Sequence, residues 1–167
     1  MPATKSYAAL SATTPLVPYT IDRRNPKPHD VQIEILYCGV CHSDLHFARN
    51  DWGMSVFPIV PGHEIVGRVL GCGSHVASFQ IGDRVGVPWL GSTCGHCSYC
   101  LHNEENLCDE ARFTGYQIDG GYAERTVADE LFRSLPACEA YLSNRSAYVR
   151  MDKEGLLGAI ADNTPNR

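Results

Sequence analysis

The sequence predicts a mainly β protein: a barrel of short strands with loop excursions, a few short helices and one metal-held lobe. Three observations carry that prediction. Val31, Ile33 and Ile35 alternate with Gln32 and Glu34, a two-residue period that turns one face of a strand inward. Other short apolar runs are bounded by glycine and proline turn signals, with little helical periodicity between them. Finally, Cys94, Cys97, Cys100 and Cys108 stand in C-x2-C-x2-C-x7-C order, half of the eight cysteines of the 167-residue chain.

The elements follow in order. Pro15, Pro18, Pro26 and Pro28 break any long helix before residue 30 and imply extended pieces joined by turns. Tyr37 is expected to continue the inward face of the strand begun at Val31. At Cys38-Gly39-Val40-Cys41-His42-Ser43-Asp44-Leu45-His46 the alternation stops, and a short helical turn is expected. Gly53, Pro58, Pro61 and Gly62 punctuate a loop into His63-Glu64. Ile65, Val66, Val69 and Leu70 predict a buried strand, with Gly67 at a bend or bulge. Val85-Gly86-Val87 follows a Gly82-Asp83 turn, the cysteine lobe comes next, and Gly120-Gly121 introduces a strand-like run from Tyr122 to Val127. After Pro136 the apolar pattern loses its period. A weak helix within Lys153 to Ala161 and a frayed end from Asp162 to Arg167 are the expectation there. The chain therefore divides into a domain at 1–136 and a divergent, partly disordered tail at 137–167.

Composition bounds the partners. A formal charge of −5 argues against nucleic acid or an anionic membrane surface, since both reward a basic face. No apolar run approaches the roughly 20 residues of a membrane-spanning helix, and Met1 to Leu10 lacks the apolar core of an export signal. Cysteines in metal-type spacing, without such a signal, point to a reducing cytoplasm.

Four thiolates around one ion make a closed tetrahedral site, which suits structural zinc and leaves no position for substrate. The second cluster is chemically different. Cys41, His63 and Glu64 offer a thiolate, an imidazole and a carboxylate, an incomplete set that leaves room for water or substrate on zinc. On local grounds an isolated His-Glu pair is more often a structural pair or a solvated turn than a ligand pair. Asp44 reads either as a carboxylate that orients a ligand imidazole or as a helix-start carboxylate. Cys38 and Cys41 form a C-x2-C, but the strand–helix–strand setting of a redox motif does not follow. His42 and His46 stand at i, i+4 without a third converging ligand.

Several motifs in order resemble one family. They are Cys-Gly-Val-Cys-His-Ser-Asp-Leu-His at 38–46, Pro-Gly-His-Glu-Ile-Val-Gly at 61–67 and Gly-Asp-Arg-Val-Gly at 82–86. Val-Pro-Trp-Leu at 87–90, the four-cysteine lobe and Gly-Gly-Tyr-Ala-Glu at 120–124 complete the series. The chain is similar over residues 5–136 to the N-terminal GroES-like catalytic domain of zinc-dependent, medium-chain alcohol dehydrogenases. The flavour is that of the bacterial propanol-preferring and cinnamyl-alcohol-dehydrogenase-like groups. The resemblance implies a GroES-like barrel and two zinc ions per chain, a structural one at Cys94, Cys97, Cys100 and Cys108 and a catalytic one at Cys41, His63 and Glu64. It makes Asp44 the carboxylate behind the ligand imidazole, Ser43 the hydroxyl that holds the substrate oxygen, and His46 the outer member of a proton relay. His42 matches a contact to the cofactor pyrophosphate, and Trp52 and Trp89 fall in stretches that line the substrate cleft. A small alcohol or aldehyde substrate and NAD(P) are implied with it.

The family's cofactor half is not matched. Hydride transfer to NAD(P) needs a doubly wound Rossmann sheet with its G-x-G-x-x-G turn, and no such pattern occurs. The expectation is a truncated or remnant form, or one piece of a split enzyme, whose reading frame leaves the family near Pro136. Cys138 is not assigned as a further zinc ligand, because its surroundings do not match. Apolar surface left where a cofactor domain would pack predicts self-association or a homo-oligomer. The competing reading is a non-catalytic zinc-binding module; a zinc-ribbon nucleic-acid binder fits poorly with an acidic chain.

Overall fold

The computed structural model describes residues 3–132 and 148–150. Strand β1 (Thr4–Ala8) pairs antiparallel with β2 (Val17–Ile21) in a hairpin. The central strand β3 (Asp30–Gly39) pairs antiparallel with β4 (Glu64–Cys72), which pairs in turn with β5 (Arg84–Val87). A short pair, β6 (Leu90–Ser92) and β7 (Arg112–Phe113), frames the cysteine lobe. Strand β8 (Arg125–Asp129) lies along the first half of β3, and β9 (Tyr148–Arg150) along its last three residues. The helices are short: α1 (His42–Arg49) and α2 (Ser98–Leu101), with 3-10 turns at Glu105–Leu107 and Glu130–Phe132. The mainly β prediction is borne out. The helix expected within Lys153–Ala161 lies outside the described residues.

Separate sheets close around one core through backbone bonds at their edges. Tyr7 donates to Tyr122 O, Glu124 to Lys5 O and Ile35 to Glu124 O, at 2.8, 3.0 and 2.9 Å. Ala9 and Ile59 exchange both bonds, at 2.9 and 3.0 Å. Inside, Val31, Ile33, Ile35, Ile65, Val69 and Val85 are buried together with Ala8, Val60, Tyr122 and Ala123. Each fully buried valine or isoleucine contributes about 1.5–3 kcal/mol, so this cluster is the main stabilising term.

The alternation at 31–35 behaves as expected, with Val31, Ile33 and Ile35 inward. Tyr37 does not continue it. A bulge between Ile35 and Tyr37 shifts the register against β4, and Cys38 rather than Tyr37 becomes the fully buried residue. Gly67 sits opposite Ile35 at that irregularity, where a Cβ would stand 2.3 Å from Ile33 Cγ2 and 2.4 Å from Glu34 O. Only glycine lets the strands approach so closely. Leu70, expected inside β4, is 40% exposed, because the two-residue period puts it on the outer face between Val69 and Gly71.

Arg23 ties the closure together from within. It is buried, and its Nε, Nη1 and Nη2 donate to the carbonyls of Arg125, Asp119 and Gly120 at 2.9, 2.5 and 2.7 Å. Burial lowers its pKa to about 10, against a raising influence from Asp119. The 119–121 segment so held lies on the 60–62 segment: Gly120 donates to Val60 O and Gly121 to Gly62 O, both at 2.7 Å. That contact sets the position of the next residue, His63.

Candidate metal centre

Helix α1 begins where β3 ends, and its first turn builds the site. Cys41 is the N-cap, with extended backbone, and Asp44 at the third helical position accepts from Cys41 N at 2.9 Å. The other Asp44 oxygen accepts from Gly62 N at 2.9 Å and from His63 Nδ1 at 3.0 Å. Tyr122 donates its hydroxyl to Asp44 Oδ2 at 3.3 Å. The two local readings of Asp44 are thus both realised in one buried carboxylate, which caps the helix and orients the imidazole. Burial and the Asp44 charge together push the Tyr122 phenol well above its ordinary pKa. For His63, burial works against the charged ring, but the Asp44 and Cys41 contacts outweigh it and raise the pKa.

An ionised carboxylate only accepts, so His63 carries its proton on Nδ1 and leaves Nε2 free as a ligand atom. One ligand atom each from Cys41, His63 and Glu64 lies within 4.8 Å of the others, all three residues half-buried. Thiolate, imidazole and carboxylate converging with the imidazole already braced from behind is a donor set that fits a zinc ion with an open position. Cys38 takes no part: it is fully buried, burial first and then Asp44 hold its thiol protonated, and its sulfur packs beside Gly62 and Gly121. The redox reading of the C-x2-C therefore has no structural basis.

The cysteine lobe is a closed set. Cys94, Cys97, Cys100 and Cys108 bring their sulfurs within 4.8 Å of one another, with Cys97 to Cys100 at 3.5 Å and Cys94 to Cys100 at 3.9 Å. Four sulfurs about 2.3 Å from one ion stand about 3.8 Å apart, so the spacing fits a tetrahedral zinc. Backbone amides of Cys97 and Cys94 donate to Cys94 Sγ and Cys108 Sγ, at 3.3 and 3.5 Å. A Thr93 contact draws the Cys100 pKa down to about 7. At Cys97 a backbone bond from Cys100 lowers the value, but burial and the neighbouring thiols carry it up to about 11. A further convergence, Cys94 with the exposed His96 and Glu110, shares a sulfur with this set and was not anticipated from sequence.

Around the open centre stands an aromatic wall. Trp89 meets His63 edge-on with ring centroids 5.1 Å apart, and stacks on Phe47 and Phe113 at 5.5 and 4.8 Å. Phe47 also stacks on Tyr116 at 4.7 Å and meets Trp52 edge-on at 4.9 Å. Sequence singled out Trp52 and Trp89 and missed Phe47, Phe113, Tyr116 and Tyr122. Phe47 lies far along the chain from Phe113 and Tyr116, so only the fold brings them together. His46 meets the rings of both His42 and Trp52 at a tilt of 34°, with both centroid distances 4.7 Å, and its Nδ1 bonds Asp51 Oδ2 at 2.8 Å. His42 is exposed at the start of α1, and neither histidine belongs to a metal-type group among the described residues. Ser43 is half-buried in the same turn, and no direct hydrogen bond joins it to His46.

A strand barrel here carries one closed four-thiolate set and one open cysteine–histidine–glutamate set, both made of metal-ligating residue types. The family model for the alcohol dehydrogenase GroES-like domain matches residues 27–137. This chain belongs to that family, and its fold is the GroES-like one. It is 39% identical over 170 aligned positions to a probable cinnamyl alcohol dehydrogenase of Oryza sativa subsp. japonica, covering 93% of this chain and 47% of that protein. That alignment extends past residue 136, where the motifs legible in the sequence stop. To an aldehyde reductase of Escherichia coli (strain K12) it is 46% identical, over 77% of this chain and 39% of that one. Among solved structures, a cinnamyl alcohol dehydrogenase of Sorghum bicolor superposes with a TM-score of 0.75 at 36% identity, covering 78% of this chain and 40% of that one. One from Helicobacter pylori complexed with NADP(H) has the same TM-score and coverage at 35% identity. The chain spans less than half the length of each of these relatives.

Proposed function

We propose that this chain is the metal-bearing, substrate-binding part of a zinc-dependent alcohol dehydrogenase, acting on a small alcohol or aldehyde with NAD(P) as hydride acceptor or donor. One observation carries the reading: Cys41, His63 and Glu64 converge, and a buried Asp44 fixes the His63 tautomer that leaves Nε2 free. Zinc bound there supplies a Lewis acid for the substrate oxygen, and a second zinc in the four-thiolate lobe holds the fold.

The chain's own residues do the rest. Ser43, in the first turn of α1 two residues from Cys41, would hold the substrate hydroxyl, accepting its proton at Oγ while its own hydroxyl proton is handed on. His46, braced by Asp51, passes that proton to solvent, with a hydroxyl of a bound ligand or a water bridging it to Ser43. The edge of Trp89 and the stacked rings of Phe47 and Phe113 exclude water from the His63 side and give an apolar seat to the substrate body. His42, exposed at the helix start, is suited to a cofactor phosphate.

Hydride transfer is proposed for this chain together with a doubly wound dinucleotide domain, since the described strands form none. Val40, Leu45, Trp52, Met54 and Val56 are exposed, apolar surface that is consistent with self-association or a homo-oligomer. The free cysteines among the described residues suit a reducing cytoplasm, and no helix there is long and apolar enough to cross a membrane.

Metal analysis of the purified chain, with NAD(H) and NADP(H) titrations alone and with an added cofactor domain, tests the reading. Two zincs per chain are expected, one of them lost on Cys41→Ser. A single zinc confined to the lobe would sink it in favour of a non-catalytic zinc module.

A further inference from the structure

We propose that Tyr122 is a positioning residue for the open metal centre, its phenol holding Asp44 in the orientation that fixes His63; this rests on the metal reading of Cys41, His63 and Glu64. Asp44 is 3% exposed and Tyr122 4% exposed. The carboxylate divides its acceptor capacity evenly. Oδ1 receives Gly62 N and His63 Nδ1 at 2.9 and 3.0 Å, and Oδ2 receives Cys41 N and the Tyr122 hydroxyl at 2.9 and 3.3 Å.

The phenol reaches this carboxylate from a segment 78 residues along the chain. Its backbone is pinned to the segment that carries His63, because Tyr122 N donates to Pro61 O at 3.1 Å and Tyr122 O accepts from Tyr7 N at 2.8 Å. Phenol, carboxylate and imidazole therefore form one chain of hydrogen bonds with both ends anchored. Without the hydroxyl, Oδ2 keeps a single donor, and rotation of the carboxylate about its Cβ–Cγ bond loosens the acceptor facing His63 Nδ1. Groups that support a metal-ligating histidine directly typically change metal affinity by about 10–100-fold. One bond further out, about 3–10-fold is expected.

The test is zinc competition against a chromophoric chelator on the full chain, comparing wild type with Tyr122→Phe, which keeps the ring and removes only the hydroxyl. Cys41→Ser identifies which of the two affinity classes belongs to the open centre. Tyr122→Phe should weaken that class by about 3–10-fold and leave the four-thiolate class unchanged, with a lowering of the metal-free melting temperature smaller than that of Asp44→Asn. An affinity within twofold of wild type, or equal losses in both classes, overturns the proposal. A wild-type chain with one affinity class overturns the metal reading itself, and is recognised before any Tyr122 variant is compared.

Discussion

Replacing Asp44 by asparagine changes no volume but breaks an arrangement that only a carboxylate satisfies. Four donors point at two oxygens, two on each. An asparagine presents one oxygen and one NH2. With the oxygen toward Gly62 and His63, the NH2 faces Cys41 N–H, and only the Tyr122 hydroxyl can rotate to accept. With the oxygen toward Cys41 and Tyr122, the NH2 faces the buried Gly62 N–H, and His63 must move its proton to Nε2, the ligand position. Either way one backbone donor is left unpaired and several charge-assisted bonds become neutral ones. An unsatisfied buried group costs about 1–3 kcal/mol, and the weakened bonds add to that, so about 2–4 kcal/mol is expected. For a domain of this size that lowers the melting temperature by about 6–15 °C. Zinc affinity at Cys41, His63 and Glu64 should fall by about 10–100-fold. Calorimetry of the metal-free chain and chelator competition read the two quantities. A melting temperature within about 2 °C of wild type, with unchanged zinc affinity, would show that Asp44 neither caps α1 nor orients His63.

Other consequences are testable in the same way. Arg23→Met leaves the carbonyls of Asp119, Gly120 and Arg125 without their donor and should cost about 2–4 kcal/mol in chemical denaturation, with Arg23→Lys recovering only part. Gly120→Ala places a Cβ 2.2 Å from Pro61 O and 2.5 Å from Gly62 O; the resulting shift should destabilise by about 1–3 kcal/mol and weaken zinc at the open centre more than in the lobe. The His29 contact, with the Ala77 amide at 3.3 Å, holds the Glu130 carboxyl below its usual range. A depressed carboxylate pKa adds stability above the unfolded value and loses it as pH falls through the folded one. Thermal melts of Glu130→Gln should therefore lie below wild type at neutral pH and converge with it below about pH 4.

Some of this protein was decided locally. The four-cysteine lobe spans fifteen consecutive residues, so its spacing alone brings the sulfurs within reach of one ion, and the structure keeps that set together. Strand β3 was legible from Val31 to Ile35 because a half-buried strand has a two-residue period, and the loss of that period correctly located the turn into α1. The same reasoning failed at Tyr37, since Leu36 is an extra residue of β3 with no counterpart in β4, and it steps the alternation out of phase after Ile35. Asp44 was undecidable from its neighbours for a related reason: a helix-capping carboxylate and one that braces a histidine look alike until the second segment arrives. Tertiary structure alone delivered Gly62, His63 and Tyr122 to that carboxylate, assembled the Phe47, Trp89, Phe113 and Tyr116 wall, and set Arg23 inside the barrel against carbonyls about a hundred residues away. Hydrophobic period and ligand spacing are properties of a single segment and can be read from it. Shared acceptors, ring stacks and closing contacts are properties of pairs of segments, and come into being only when the barrel closes.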